Sequence, residues 1–267
     1  MTEKTTFQSD NAFSNDFGVF VYEQTITKSS GSLVEIFQNH GLITQLQDRL
    51  GYQFNQINYL INALTHRSFV HEYTHEARTS YERLEFLGDS VLGSYVSYAL
   101  FEKYSDCSEG KLSKLRSALV NEHSLAKLGR FLGADKCLLL GRGELQSELN
   151  DSLICDVVEA ILGAITLDDS INRAFEALAN IISQYELEMK EDFFSEKKLY
   201  LFDPKTTLQE LTMKEYKSLP VYESHNVEGG FRVELFVNDE KVEEVTCHSK
   251  KIAMKELALK YLNKITK

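Results

Sequence analysis

The chain has 267 residues, 43% of them hydrophobic, with a formal net charge of −11, which suits one large domain or a medium domain with a small one. No apolar run approaches the ~18 residues a membrane span needs. The polar opening MTEKTTFQSDNAFSND has no basic region leading into an apolar one, so no secretory signal is expected.

Residues 1–40 are rich in Ser, Thr, Asn and Gln and read as an extension of unknown role, with one strand-like run, FGVFVYE (Phe17–Glu23). From Leu42 to about Leu187 apolar residues recur at three and four positions without a proline, which predicts a helical domain over 41–188. The charged stretch ELEMKEDFFSEKK leads into a linker at 189–202. At 203 the style changes. Asp203 as N-cap and Pro204 in the first turn open a helix with Leu208 and Leu211 on its apolar side. Phe231, Val233, Leu235 and Val237 then alternate as in a half-buried strand. Asn238-Asp239 makes a turn, KVEEVTCH pairs back, and Ser249 caps a last helix. Helix, strands and helix over 203–267 predict a small α+β domain behind a mainly α one.

Cys107, Cys137, Cys155 and Cys247 have no C-x-x-C spacing and read as reduced packing residues of a cytoplasmic protein, with no zinc cluster. The acidic balance argues at first against nucleic acid, but it is unevenly spread. From Asp203 onward there are 11 basic and 11 acidic residues, so the whole excess of acid belongs to 1–202; Ser249–Lys267 holds six lysines against Glu256.

The stretch HEYTHEARTSYERLEFLGDS (His71–Ser90) makes two claims on a metal. H-E-x-x-H at His71 and His75 is the zinc-peptidase pattern, but polar residues and no third ligand follow it, so exposed residues at chance spacing are the better reading. In the second half, Glu82, Glu85 and Asp89 fall within an arc of roughly 60° on a helix. Between Leu84 and Phe101 the only charges are Glu85 and Asp89. A second run, Ser152–Leu167, repeats the arrangement with Asp156 and Glu159 as its only charges. Carboxylates on mostly apolar helices with no base nearby need a partner, because desolvating each costs several kcal/mol. Oxygen ligands without His or Cys favour Mg²⁺ or Mn²⁺, and such a cluster can hold two ions on the order of 4 Å apart for phosphodiester cleavage. A partly solvated acidic face is the other reading of the pattern.

YERLEFLGDSVL resembles the signature helix of the ribonuclease III family. LGYQF, ALTHRS, EGKLSKLRSALVN, LGRGE and DVVEAILGAITLD follow in that family's order, and DPKTTLQE with SKKIAMKELA resembles its double-stranded-RNA-binding domain. The likeness covers everything after the N-terminal stretch. It implies an endoribonuclease that cuts double-stranded RNA, with Mg²⁺ (or Mn²⁺) held by Glu85, Asp89, Asp156 and Glu159. Asp89 and Glu159 are catalytic in that reading, with Glu82 and Glu109 as acids near the site. It further implies a homodimer packed through the signature helices, no membrane and no zinc, and a role in processing ribosomal and other RNA precursors.

Lys250 and Lys251 match the family's phosphate clamp, at a helix N-terminus that also favours phosphate. Thr206, Gln209 and Glu210 match its minor-groove contacts. Taken alone, the lysines read rather as a solvated helix face. The chain departs from the family pattern in the short NVEGG loop (Asn226–Gly230), in Met254 where a third lysine is common, and in Met213. These changes imply weaker, more salt-sensitive RNA binding. Tyr81 replaces an Asn before the first Glu, and Cys155 a small residue. His66 reads as a hydrogen-bonded packing residue. The competing function is a protein that grips duplex RNA without cutting it, and retention of all the catalytic acids argues against it.

Overall fold

The computed structural model of the protein describes residues 16–24, 32–73, 79–145 and 149–265. The chain separates into two compact units, Met1–Cys107 with Leu119–Phe193 and Ser108–Ala118 with Phe194–Lys267. Among the described residues no helix is long and apolar enough to cross a membrane.

In the first unit, α1 (Asp16–Tyr22) and α2 (Leu33–Asn39) precede α3 (Gly41–Leu50), α4 (Ile57–Ala63), α5 (Arg67–Glu72) and the long α6 (Glu82–Lys103). The run expected as a strand is therefore a helix. Phe17 and Val21 are buried while Val19 and Phe20 are exposed, the i, i+4 pairing of a helix face and not the alternation of a strand. A seven-residue run carries too few turns to choose its own period. The surface it meets chooses, here with the Phe17 ring edge-on to Phe37 at 5.3 Å.

After α7 (Glu109–Leu119), which lies mostly in the second unit, come α8 (Glu122–Leu132), α9 (Arg142–Leu145), α10 (Asp151–Asp168) and α11 (Ile171–Met189). Asn121, Asn150 and Ser170 each open a helix by accepting a backbone N–H three residues on, which satisfies one of the free donors of the first turn. α10 is buried from Ile154 to Ile165 apart from Asp156, enclosed by α6, α8, α11 and α4. Its nearly all-round apolar sequence follows from that central place.

The second unit holds α12 (Lys197–Phe202), α13 (Pro204–Tyr216), the antiparallel strands β1 (Val221–Val227), β2 (Gly230–Val237) and β3 (Glu240–Cys247), and α14 (Lys250–Ile265). Asp203 caps α13 by accepting the Thr206 N–H at 3.3 Å, with Pro204 following it. Val233, Leu235 and Val237 pack with Leu208, Ala253, Leu257, Ala258 and Leu262, so the expected alternation of β2 is the core face. Asn238 and Asp239 both adopt positive φ, 50° and 64°, the conformation of a two-residue hairpin turn. In the NVEGG segment, Asn226 and Val227 stay paired with Phe231 and Gly230, leaving only Glu228-Gly229 to turn.

Candidate active site

The site begins with a helix crossing. A Cβ placed on Gly88 of α6 would strike the backbone carbonyl of Glu159 on α10, and one on Gly163 would strike the carbonyl of Leu84. Glycine at both positions lets the two backbones touch, and this contact brings the acids of α6 beside those of α10.

Glu159 is only 9% exposed, although it is a carboxylate. Burial, then the charges of Asp89, Asp156 and Glu85, push its pKa up to about 7. Glu85 is raised by burial and by Asp156, Glu82 and Asp89. Asp156 is raised by burial and by Glu122, against a Tyr81 hydroxyl that donates to Oδ2 at 3.4 Å and favours the ionised form. No cationic side chain among the described residues offsets the repulsion at Glu85 or Asp156. A crowd of carboxylates without a counter-ion fits a hard divalent cation, for which oxygen is the preferred donor.

Cys155, Asp156 and Glu159 offer donor atoms all within 4.8 Å of one another. The buried Cys155 thiol lies 3.8 Å from Glu159 Oε1, and burial together with the carboxylates raises its pKa, holding it as a neutral thiol. The oxygens remain the ligands this arrangement favours.

Glu82 is exposed in the first turn of α6 and accepts the Ser80 hydroxyl. Its charge reaches Glu85. Glu109 opens α7, in the second unit. His66 caps α5, its Nδ1 2.7 Å from Ser68 Oγ, and burial lowers its pKa, in keeping with a packing histidine. His71 is exposed near the end of α5, and His75 lies outside the described residues. Glu72 between them accepts the Arg142 N–H at 3.0 Å. Two contributors to the cluster are not among the acids picked from the sequence: Tyr81, legible only as a departure from the family pattern, and Glu122, whose sole local signal is its place just after the Asn121 cap.

The "Ribonuclease-III-like" family description matches residues 56–185, and the "Double-stranded RNA binding motif" matches 204–265. "Ribonuclease 3" of Acinetobacter baylyi is 40% identical over 187 residues, 69% of this chain and 76% of the relative. The chain belongs to the ribonuclease III family. "Ribonuclease 3" of Idiomarina loihiensis is 42% identical over 183 residues, 68% of this chain and 74% of that one. Among solved structures, the nuclease domain of ribonuclease III from Campylobacter jejuni is 40% identical, covering 53% of this chain and 96% of its own, with a TM-score of 0.49. As a ribonuclease III this protein is an endoribonuclease acting on double-stranded RNA, and membership implies dependence on a divalent metal ion.

In this ribonuclease III the RNA-binding motif follows at residues 204–265. Thr206, Gln209 and Glu210 lie on the first two turns of α13, where Glu210 is ion-paired with Lys114. Lys250 and Lys251 open α14 and are exposed; Lys250 Nζ stands 4.8 Å from the Phe231 ring centroid.

Proposed function

We propose that Glu85, Asp89, Asp156 and Glu159 hold the divalent metal, Mg²⁺ with Mn²⁺ as a substitute, and that Asp89 and Glu159 are the catalytic pair. The observation that carries this reading is Glu159, a buried carboxylate raised to about 7 by burial and by the charges of Asp89, Asp156 and Glu85. When bound, such ions supply the charge that acidifies an attacking water and offsets the phosphate and the leaving oxygen. The chain's own part is to keep the carboxylates together and free of competing cations. Asp89 is the exposed member and Glu159 the buried one, so the cluster runs from the surface inward. Glu82 and Glu109 act as acids near the site. Hydrolysis leaves 5′-phosphate and 3′-hydroxyl ends with a short 3′ overhang.

The catalytic domain in this reading is 41–188, joined by 189–202 to an RNA-binding domain at 203–267. Thr206, Gln209 and Glu210 meet the minor groove, and Lys250 and Lys251 the phosphates, since duplex RNA is read by shape and 2′-hydroxyls. Two protomers pair through α6, one cutting each strand. Support comes from Phe86, 79% exposed between Glu85 and Leu87, a large apolar side chain that water covers poorly. The four free thiols suit the cytoplasm, where processing of ribosomal and other RNA precursors takes place.

The test is incubation of a fully paired RNA and a matching single strand with Mg²⁺ or with chelator, followed by mapping of product ends. Duplex-only, Mg²⁺-dependent cuts offset on the two strands are expected. Duplex that is bound but uncut in Mg²⁺ at low salt would overturn the catalytic reading.

A further inference from the structure

The lysines of the RNA-binding motif divide into two sets. Lys241 pairs with Glu234 and Glu244 at 2.7 Å each, Lys260 with Glu256 at 2.7 Å, and Lys264 with Glu243. These charges are already answered within the fold. Among the described residues, Lys205, Lys214, Lys217, Lys250, Lys251 and Lys255 enter no ion pair, and all six are exposed. Lys214 and Lys217 lie at the far end of α13, whereas Lys205 opens that helix and reaches the lysine-rich last one.

Its position links the two helices. Lys205 Nζ lies 3.8 Å from Met254 Sδ and 5.6 Å from the Tyr222 ring centroid. Met254 follows Lys250 by four residues, one turn along the same face of α14, and Lys205 precedes Gln209 by four on α13. Lys205 therefore stands between the helix that carries Gln209 and the helix that carries Lys250. Met254 itself brings no charge to this face, but its thioether and the Tyr222 ring hold the Lys205 ammonium beside α14. Lys205 is nevertheless exposed, so its charge stays open to the surface. Holding the side chain in place also lowers the ordering entropy lost when a phosphate is gripped.

We infer that Lys205 is a phosphate-binding residue of the duplex-RNA face, supplying from α13 a positive charge over Met254. This rests on the reading that Lys250 and Lys251 grip the RNA backbone, and the experiment separates the two. Binding of a paired RNA to the full chain is measured in chelator, so that nothing is cut, over a series of KCl concentrations. Lys205→Met keeps a side chain of similar length and removes the charge; Lys205→Gln stands in should that variant fail to fold. A loss of about one unit from the slope of log K against log salt is expected. Lys205→Arg should keep the wild-type slope, and Lys214→Met, at the far end of α13, should leave it unchanged. An unchanged slope for Lys205→Met, beside a drop of about two for Lys250→Ala with Lys251→Ala, would make Lys205 a packing residue only and leave the RNA face standing. If neither variant moved the slope, the RNA-face reading would fall with it.

Discussion

Gly88 of α6 rests its backbone against the carbonyl of Glu159, and Gly163 stands in the same way against Leu84. The carboxylate cluster depends on this contact, because any side chain there would push the two acid-bearing helices apart. Gly88→Ala is expected to destabilise the protein by about 1–3 kcal/mol or more, as overpacking does, and to lose cleavage. Gly93→Ala on the same helix meets nothing within 4 Å and should be neutral or up to about 1 kcal/mol more stable. Urea unfolding of both variants, beside a cleavage assay, checks the contrast. Equal stabilities would mean that the helices tolerate a wider separation.

On the proposed reading, Glu159 should make stability depend on pH and on metal. Its folded pKa, about 7, lies above the unfolded value, so the folded state holds the proton more tightly. Its contribution is fully present below the unfolded pKa and is lost as pH rises through the folded one. Burial raises Glu85 and Asp156 in the same direction. Metal-free protein should therefore melt lower as pH rises from about 5 to about 8, and Mg²⁺ should raise the melting temperature most at the upper end. Glu159→Gln should flatten this dependence, abolish cleavage and leave duplex binding intact. Loss of RNA binding in that variant would give the residue a structural role.

Tyr81 donates to Asp156 Oδ2 at 3.4 Å, which favours the charged carboxylate. Tyr81→Phe removes this donor with little change of shape. The Mg²⁺ concentration for half-maximal cleavage should rise severalfold, roughly 1 kcal/mol for a long bond to a charged group, and the acid limb of the pH profile should move upward. Binding of duplex in chelator should not change. An unaltered metal requirement would leave Tyr81 as packing alone.

Asp168, the last residue of α10, accepts the Tyr52 hydroxyl at 2.6 Å and the N–H groups of Asn55 and Gln56 at 2.7 and 2.8 Å. These bonds tie the start of α4 to the end of α10. Asp168→Ala leaves three donors without their acceptor and should cost about 2–4 kcal/mol in denaturant unfolding. A change below about 0.5 kcal/mol would show that water replaces the carboxylate.

Phe86 projects from α6 at 79% exposure beside Glu85. Phe86→Asp should convert a dimer to monomers in sedimentation analysis, by removing apolar area and adding like charge. A dimer that survived the change would move the pairing surface away from α6.

The alternation of β2, the Asp203-Pro204 helix start and the helical period from residue 42 onward were legible in the sequence, since each depends on neighbours a few residues apart. So were the two acid pairs, because a lone carboxylate in an apolar run stands out wherever it falls. The run FGVFVYE was misleading. Seven residues fit either period, and only the surface around Phe37 selected a helix. Tertiary structure alone decided that Glu85 and Asp89 meet Asp156 and Glu159 across some seventy intervening positions, that Glu159 is buried, and that Lys205 rests on Met254. Local spacing sets which face of an element a residue occupies. Which faces meet, and at what distance, is decided by the close approach of backbones, which Gly88 and Gly163 permit and no periodicity encodes.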